Sequence, residues 1–448
     1  MGPRTTMNGS KRTSMHVADA PASSGAPSWA ALDARHVWHP YTQMLTAPVP
    51  IDVARAEGAY LYRSNGTAIL DAISSWWVTL HGHAHPAIVA AIARQAAQLD
   101  QVIFAGFMHE PAARLAAQLA TITPGDLDRV FFSDGGSTSV EVALKICIGF
   151  WANRGEPRTR FLALEGAYHG DTFGAMSVSE RSAFTRGVTP LLFEVERLPF
   201  AAPGTDGSAM LDAARAALAG GAIAGVIVEP MLLGAAGMRM WDAGLLRSLA
   251  TLCNSHGVPF IADEVLTGFG RTGRMFACEH ADIVPDVLCL SKGLTGGHLP
   301  LGATLCRPYL YDAFLHEDRS RMLFHGHSFT ANPISCAAAL ASLDLFESEP
   351  VSRRIAATGA LHAERLADLE ACGSVCNVRR CGTVAAFDLR ADSQGYLSDA
   401  ARGLAARALD HGFLLRPLGE VLYVLPPYST PLDALHELYD FLLRELRD

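Results

Sequence analysis

The sequence of 448 residues lacks the hydrophobic runs and charge blocks that mark several classes of protein. No uninterrupted apolar run reaches the ~20 residues that a membrane-spanning helix needs. The net charge of −9 is spread along the chain without acidic or basic blocks, so neither nucleic acid nor a membrane is an expected partner. The length favours two or three domains with a large core.

The cysteines also lack the patterns of a disulfide framework or a zinc site. There are nine, an odd number, scattered and without any C-x-x-C pair. We therefore expect a cytoplasmic protein. Residues 1–28 are rich in Ser, Thr, Ala, Gly and Pro and carry no acidic residue before Asp19, which predicts a disordered tail. An organelle transit peptide shares that composition and stays an alternative.

Short apolar runs alternate with helical stretches through the middle of the chain. Such alternation predicts βαβ units and a largely parallel sheet, hence an α/β fold. A capped amphipathic helix is expected after the first run, with Thr138 and Glu141 as its capping box. The predicted strands contain 130–132, 161–164, 225–228, 260–262 and 287–290.

The alternation of short apolar runs and helical stretches ends at about residue 346. A long helical stretch over 353–370 is followed by apolar runs at 384–389 and 421–425 and by a last helix, which together indicate a smaller α+β domain. We therefore expect a large domain over 76–345 and a small domain over 346–448. Residues 29–75 would form an N-terminal segment that joins the small domain.

Polar residues follow several of the predicted strands, at the edge where open α/β sheets bind ligands. The turn Asp134–Ser137 contains two glycines and opens a helix, an arrangement that suits a phosphate. Asp263 follows one strand, where a carboxylate suits a heterocycle with a protonated nitrogen. Lys292 follows the next, where desolvation would lower its pKa and favour Schiff-base formation. Taken singly, these residues are more often a structural turn, a helix cap and a surface charge.

In combination they resemble the large domain of fold-type I enzymes that use pyridoxal 5'-phosphate. Longer stretches resemble the signatures of the class III aminotransferases over about residues 35–445. They are Leu164–Thr172, Val228–Pro230, Asp263–Gly273 and Leu290–Leu294.

The resemblance implies a role for each residue of a pyridoxal phosphate site. Lys292 would hold the cofactor and move the proton of the substrate, and Asp263 would pair with the ring nitrogen. Tyr168 and Val265 would cover the two faces of the ring. Gly136, Ser137 and Glu229 complete the cofactor-binding set within one subunit. Ser328 of a second copy would complete the phosphate site, which implies a homodimer with shared active sites.

Segments outside the cofactor motifs resemble the branch of this class that aminates 8-amino-7-oxononanoate in biotin biosynthesis. These segments are Val37–Met44, Ser74–Trp77, Leu415–Gly419 and Pro426–Tyr428. The resemblance implies that Arg416 binds the acceptor's carboxylate as a two-pronged donor. It also implies that Trp76, Trp77 and Tyr41 line the channel for the methylene chain, and that Arg271 steers the donor's carboxylate.

Several alternatives stay open. The expected amino donor is S-adenosylmethionine. Enterobacterial members of this branch carry Ser at the position of Gly135 and Pro-Thr at the position of His327–Ser328, so lysine stays an alternative donor. An aminotransferase for ornithine or 4-aminobutyrate, an aminomutase and a non-catalytic cofactor-binding protein are the rival functions. The histidine runs at 81–85 and 325–327 have no carboxylate or cysteine placed with them, so no metal site is expected.

Overall fold

A computed structural model describes residues 28–390, 395–396 and 398–447. The predicted disordered tail lies outside the described residues except for Ser28, whose hydroxyl accepts the N–H of Ala31 and caps the first helix. The described chain forms two compact units, one ending at Asp52 and one beginning at Val53. The expected domain boundaries after residues 75 and 345 stay a prediction.

The described strands are numbered in chain order. They are β1 (Arg55–Glu57), β2 (Tyr60–Tyr62), β3 (Ala68–Asp71), β4 (Arg129–Ser133), β5 (Arg160–Leu164), β6 (Val195–Leu198), β7 (Ile223–Val228), β8 (Leu232–Leu233), β9 (Arg239–Met240), β10 (Phe260–Asp263), β11 (Val287–Leu290), β12 (Gly302–Cys306), β13 (Val375–Cys381), β14 (Val384–Leu389), β15 (Phe413–Leu414) and β16 (Val421–Val424).

The described helices are numbered in the same way. They are α1 (Trp29–His36), α2 (Ser74–Trp77), α3 (Pro86–Gln98), α4 (Glu110–Ile122), α5 (Gly136–Asn153), α6 (Phe173–Val178), α7 (Ser208–Ala219), α8 (Ala243–Ser255), α9 (Pro308–Asp312), α10 (Pro333–Ser348), α11 (Val351–Glu370), α12 (Arg402–Asp410) and α13 (Leu432–Arg447). Short 3₁₀ turns cover Thr189–Leu191, Ala277–His280, Lys292–Thr295 and Arg319–Arg321.

A seven-stranded sheet forms the centre of the second unit, with the strand order β4-β12-β11-β10-β7-β5-β6. Neighbours from β11 to β6 pair in parallel, and only β12 runs against its two neighbours. The predicted α/β fold with a mostly parallel sheet is confirmed. Each of the five predicted strands lies in this sheet.

Both faces of the central sheet are covered, because its middle strands are buried at every position. Alternate side chains of β11 enter different cores: Leu288 and Leu290 face one cluster, and Val287 and Cys289 face the other. The second cluster contains the apolar face of α5, the helix that follows β4. The sheet edge is therefore held rigidly between two packed layers.

The C-terminal part builds a three-stranded antiparallel sheet, β13-β14-β16, which shares a core with α11 and α13. The predicted long helix and both predicted apolar strands of this region are confirmed as α11, β14 and β16. In addition, β15 pairs in parallel with β3, which joins residues 55–71 to this part of the chain. Of the helices described, none is both long enough and apolar enough to cross a bilayer.

Candidate active site

The polar residues after five strands meet at one edge of the central sheet. Since β12 is antiparallel to both β11 and β4, the strands β4, β5, β7, β10 and β11 all point the same way. Their carboxyl ends therefore share an edge, where open α/β sheets bind ligands. A cavity of about 150 Å³ lies there and is lined, among others, by Ser137, Tyr168, Glu229, Asp263 and Lys292.

Lys292 lies two residues beyond β11 and has a positive φ of 44°. This backbone conformation is strained for a lysine. Strained residues of this kind cluster at functional sites. Burial lowers the pKa of its amine to about 8, although the charges of Asp263 and Glu229 act in the opposite direction. An amine that loses its proton this close to neutral pH can act as a nucleophile toward an aldehyde.

Asp263, the last residue of β10, is held by two hydrogen bonds. One carboxylate oxygen accepts the N–H of Val265 at 3.1 Å, and the other accepts Nδ1 of His169 at 2.7 Å. The imidazole of His169 is completely buried, and its backbone N–H donates to the hydroxyl of Ser179. His169 is a site residue that sequence reasoning missed. It stands inside the Leu164–Thr172 signature beside Tyr168, and that position was the available signal.

Glu229 follows β7 and is buried beside Asp263. Burial raises the pKa of its carboxyl group to about 7, and the negative charge of Asp263 adds to this shift. Its two oxygens accept the N–H groups of Tyr168 and Gly234, each at 3.0 Å. Glu229 therefore fixes the loop that places Tyr168 in the cavity wall.

The turn after β4 forms one end of the cavity. Helix α5 begins at Gly136, so the N–H groups of its first residues have no acceptor inside the helix and can bind an anion. The cavity side is tightly packed: a Cβ on Gly136 would meet Val265 at 2.7 Å, and one on Gly170 would meet the hydroxyl of Ser137 at 1.9 Å. By contrast, a Cβ on Gly135 would meet only Thr138 at 3.9 Å, so crowding does not require glycine there.

The predicted capping box of Thr138 with Glu141 is wrong. The helix starts two residues before Thr138, whose hydroxyl accepts the N–H of Gly135 at 3.0 Å and donates to Asp134 at 2.7 Å. Glu141 instead accepts the hydroxyl of Thr172 at 2.6 Å and the N–H of Gly174 at 2.7 Å. The carboxylate of Glu141 thus binds a loop that is distant in sequence. A local sequence pattern cannot predict such a contact.

The irregular turn α2 approaches the cavity from another part of the chain. Three of its residues have positive φ: Ser74 (54°), Ser75 (57°) and Trp77 (66°). The buried carboxylate of Asp71 holds this turn. It accepts the N–H of Ser75 at 2.7 Å and the hydroxyl of Ser75 at 3.1 Å, and it accepts Nε2 of His83 at 2.8 Å.

The turn presents two tryptophans in different environments. Trp77 is 6% exposed, its indole N–H donates to the hydroxyl of Tyr423 at 2.9 Å, and its ring centroid lies 4.8 Å from Nζ of Lys292. Trp76 is 39% exposed, and the guanidinium carbon of Arg416 lies 4.0 Å from its ring centroid. The geometry thus brings Trp77 to Lys292 and places the predicted carboxylate-binding Arg416 on Trp76.

Arg271 lies outside the cavity lining and is 1% exposed. Its guanidinium donates to the carbonyl oxygen of Pro426 at 2.8 Å and to that of Thr79 at 2.9 Å. These bonds brace two backbone segments. The predicted contact of Arg271 with the donor's carboxylate has no support in this geometry and stays a prediction.

Two further predicted site residues, Tyr41 and Ser328, are exposed in the single chain, and their roles stay predictions. Tyr41 belongs to the first compact unit, where it is exposed and has a φ of 51°. Ser328 is exposed, and its carbonyl oxygen accepts the side chain of Gln101 at 2.6 Å. A residue that completes the site of a second copy is expected to be exposed in the single chain, so the role of Ser328 stays a prediction.

The histidine runs have other partners. His83 pairs with Asp71, His85 lies 3.0 Å from Glu349, and His325 lies 3.1 Å from the amine of Lys145. Within the described ranges, no cluster of three or more His, Cys, Asp or Glu residues could hold a metal ion.

A comparison with protein families identifies the class of enzyme to which the chain belongs. The family model for class III aminotransferases matches residues 41–446. The chain belongs to the class III aminotransferases.

Curated relatives narrow the position of the chain within the class III aminotransferases. A protein of Synechococcus elongatus named adenosylmethionine-8-amino-7-oxononanoate aminotransferase is 49% identical over 90% of this chain and 96% of its own length. A protein of the same name from Geobacter sulfurreducens is 39% identical over 92% of this chain and 96% of its own. The crystal structure of the Methanocaldococcus jannaschii protein of that name has a TM-score of 0.89 at 36% identity and covers 94% of this chain and 98% of that one.

Pyridoxal phosphate is the cofactor of this chain. An amine transaminase from an uncultivated Pseudomonas species, solved in its PLP-bound form, matches with a TM-score of 0.83 at 33% identity over 92% of this chain and 98% of that one. The cavity fits such a group: free N–H groups at the start of α5 suit its phosphate, Asp263 suits its ring nitrogen and Lys292 suits its aldehyde.

Proposed function

We propose that this aminotransferase transfers the amino group of S-adenosylmethionine to 8-amino-7-oxononanoate and so forms 7,8-diaminononanoate for biotin synthesis. The observation that carries the proposal is the arrangement of Lys292, Trp77, Trp76 and Arg416, which leads from the reacting amine to a guanidinium. The names of the two curated relatives described above contain both the donor and the acceptor. Their identities extend over nearly the whole chain.

Pyridoxal phosphate, when bound, supplies an aldehyde and an electron-accepting ring that carries the amino group between the two substrates. Lys292 would hold it and, once displaced by the incoming amine, would move the proton at the substrate carbon. A pKa of about 8 suits that work, because a proton shuttle needs a pKa near the working pH. Asp263, oriented by His169, would face the ring nitrogen, and the start of α5 with Ser137 would bind the phosphate.

Arg416 would bind the carboxylate of the acceptor. The carbon of its guanidinium lies 4.0 Å over the ring centroid of Trp76, a contact that would help to hold the guanidinium for a two-pronged contact with a carboxylate. The tryptophan rings between Arg416 and Lys292 offer an apolar surface to the methylene chain of the acceptor. An acceptor with a keto group at one end and a carboxylate at the other matches this order of groups.

A second copy of the chain would complete the site. Large apolar side chains are exposed in two segments, with Met108 91%, Phe107 59%, Phe324 63% and Phe329 62% exposed. The side chain of Gln101, which precedes Phe107 in the chain, donates to the carbonyl oxygen of Ser328, which precedes Phe329. Exposed apolar surface of this kind marks an interface, and a homodimer would bury it and deliver Ser328 to the neighbouring phosphate site. All nine cysteines are free thiols, which supports a cytoplasmic enzyme.

A substrate panel tests the proposal. Purified holoenzyme is incubated with 8-amino-7-oxononanoate and either S-adenosylmethionine or lysine, and 7,8-diaminononanoate is measured by mass spectrometry. We expect the product with S-adenosylmethionine. Rapid amination with ornithine or 4-aminobutyrate as donor, and no conversion of 8-amino-7-oxononanoate, would assign the enzyme to another branch of the class.

A further inference from the structure

Two arginine side chains cap the C-terminal end of the short helix α6. The last carbonyl groups of a helix have no donor within the helix, and here they belong to Ser177 and Val178, which are buried together with Ser179. Arg181 follows the helix in the chain, and Arg197 lies on β6, the edge strand of the central sheet. Both guanidinium groups donate to these carbonyl oxygens, so side chains from two places in the sequence hold the helix end.

The two guanidinium groups share acceptors. Arg197 donates to the carbonyl oxygen of Ser177 at 3.0 Å and to that of Ser179. Arg181 donates to the same two oxygens, at 3.0 Å and 3.3 Å. Burial lowers the pKa of Arg197 to about 10, an effect that the charge of Glu180 opposes and the charge of Arg181 increases. Since like charges repel, the bonds to the shared carbonyl oxygens are what hold the two cations side by side.

The end of α6 is tied to the loop that carries His169. The hydroxyl of Ser179 accepts the backbone N–H of His169 at 2.7 Å. The N–H of Glu180 donates to the carbonyl oxygen of Ala167 at 2.7 Å, and the carboxylate of Glu180 accepts the N–H of Gly166 at 3.0 Å. These three bonds fix the loop to the residues that the arginines hold.

We propose that Arg181 and Arg197 are positioning residues that, through Ser179, hold His169 against Asp263. The imidazole of His169 reaches Asp263 at 2.7 Å, and its place depends on the backbone that Ser179 binds. Residues that touch a cofactor work only when the groups behind them fix their orientation. Neither arginine lines the cofactor cavity, so both act from a distance. The inference rests on the role proposed above for Asp263 and does not depend on the identity of the donor or acceptor.

Two properties of the bound cofactor test the proposal without relying on turnover. They are its absorption spectrum and its dissociation constant, measured by titration of the apoenzyme. Arg181→Met/Arg197→Met removes both guanidinium groups. A loss of orientation worth about one hydrogen bond should raise the dissociation constant about tenfold and change the spectrum in the direction seen for Asp263→Asn. Arg160→Met is the matched control, since the exposed Arg160 lies on the adjacent strand β5 and pairs with Glu196.

Ser179→Ala tests the route by which the arginines act. It removes a single hydroxyl, so it tests the proposal even if the double arginine variant fails to fold. The dissociation constant should rise a few-fold, with a spectral change in the same direction. Added to Arg181→Met/Arg197→Met, it should have less than an additive effect, because the substitutions act on the same contact. Additive effects, or a Ser179→Ala enzyme with the wild-type spectrum and dissociation constant, would overturn the proposal.

Thermal unfolding separates positioning from a purely structural role. A double arginine variant that unfolds at a lower temperature, yet binds the cofactor with the wild-type constant and spectrum, would show that the pair only stabilises the fold. The role of Asp263 fails separately. If Asp263→Asn changes the spectrum but the arginine and Ser179 variants do not, only the positioning inference is wrong. If Asp263→Asn leaves the spectrum unchanged, the role of Asp263 is wrong, and the inference that rests on it falls as well.

Discussion

Asp263 and Lys292 come from the ends of β10 and β11, two neighbouring parallel strands, whereas Trp76 and Trp77 come from the irregular turn α2. The sheet between two packed layers fixes the cofactor residues. The buried carboxylate of Asp71 holds the turn, together with hydrogen bonds from Ser74 to Leu425 and from Trp77 to Tyr423. Cofactor attachment and substrate recognition therefore depend on separate parts of the chain, the ends of β10 and β11 and the turn α2. Substitutions in the two regions should therefore alter different steps of the reaction.

Lys292→Ala should have the largest effect. Removal of the group that moves the substrate proton lowers kcat by at least about 10³-fold, within the range of acid–base catalysis. Steady-state rates of product formation measure this loss. Lys145→Ala is the matched control, since the sequence contains only three lysines and the exposed Lys145 contacts His325 and does not line the cavity. Comparable activity of the two variants would remove Lys292 from the mechanism.

Asp263→Asn should lower kcat by about 10²-fold, because an amide cannot supply the negative charge opposite a protonated ring nitrogen. The absorption spectrum of the bound cofactor should change as well. The exposed Asp282 provides the control Asp282→Asn. An Asp263→Asn enzyme with normal rates and spectrum would show that this carboxylate does not touch the cofactor.

The pH dependence of cofactor uptake should follow the amine of Lys292. Its pKa is lowered to about 8 by burial, so the amine is protonated and inactive below that pH and neutral above it. Uptake by the apoenzyme should rise about tenfold per pH unit below about 8 and level off above, as for any single titrating group. Absorption of the bound cofactor after mixing gives the rate. A flat profile across this range would contradict the lowered pKa.

Asp71→Asn should have the smallest effect on chemistry and a selective effect on the acceptor. It weakens charge-assisted hydrogen bonds in a buried site, which costs about 1–3 kcal/mol of unfolding free energy. We expect a few-fold higher KM for 8-amino-7-oxononanoate with kcat little changed. Thermal unfolding and steady-state kinetics measure both.

A conservative variant provides the control for Asp71→Asn. His83→Gln retains an N–H donor toward Asp71 and should stay near the wild type. If Asp71→Asn lowered kcat and altered the cofactor spectrum as Asp263→Asn does, the two regions would not be separate.

The sequence predicts the cofactor side well, because Asp263 and Lys292 each follow an apolar run and parallel strands bring such ends together. Five strands of the central sheet and the C-terminal strands β14 and β16 were predictable because each is a short apolar run. By contrast, His169 could be seen in its motif, but its partner Asp263 lies 94 residues away and the pairing exists only in the folded chain.

The substrate side was harder to predict. Positive φ at Ser74, Ser75 and Trp77 is a conformation that such residues rarely adopt, so no local propensity indicates it. It depends on the bonds from Asp71, which looks like an ordinary end of a strand. Arg271 shows the opposite difficulty: its charge suggested a ligand contact, yet its guanidinium is bonded to two backbone carbonyl oxygens in the interior.

Reductive trapping tests the central claim most directly. Borohydride treatment of the holoenzyme fixes the cofactor to the lysine that holds it, and peptide mass spectrometry locates the label. We predict stoichiometric label on Lys292 and none on Lys145. Label on another residue, or a purified protein that takes up no pyridoxal phosphate, would contradict the account.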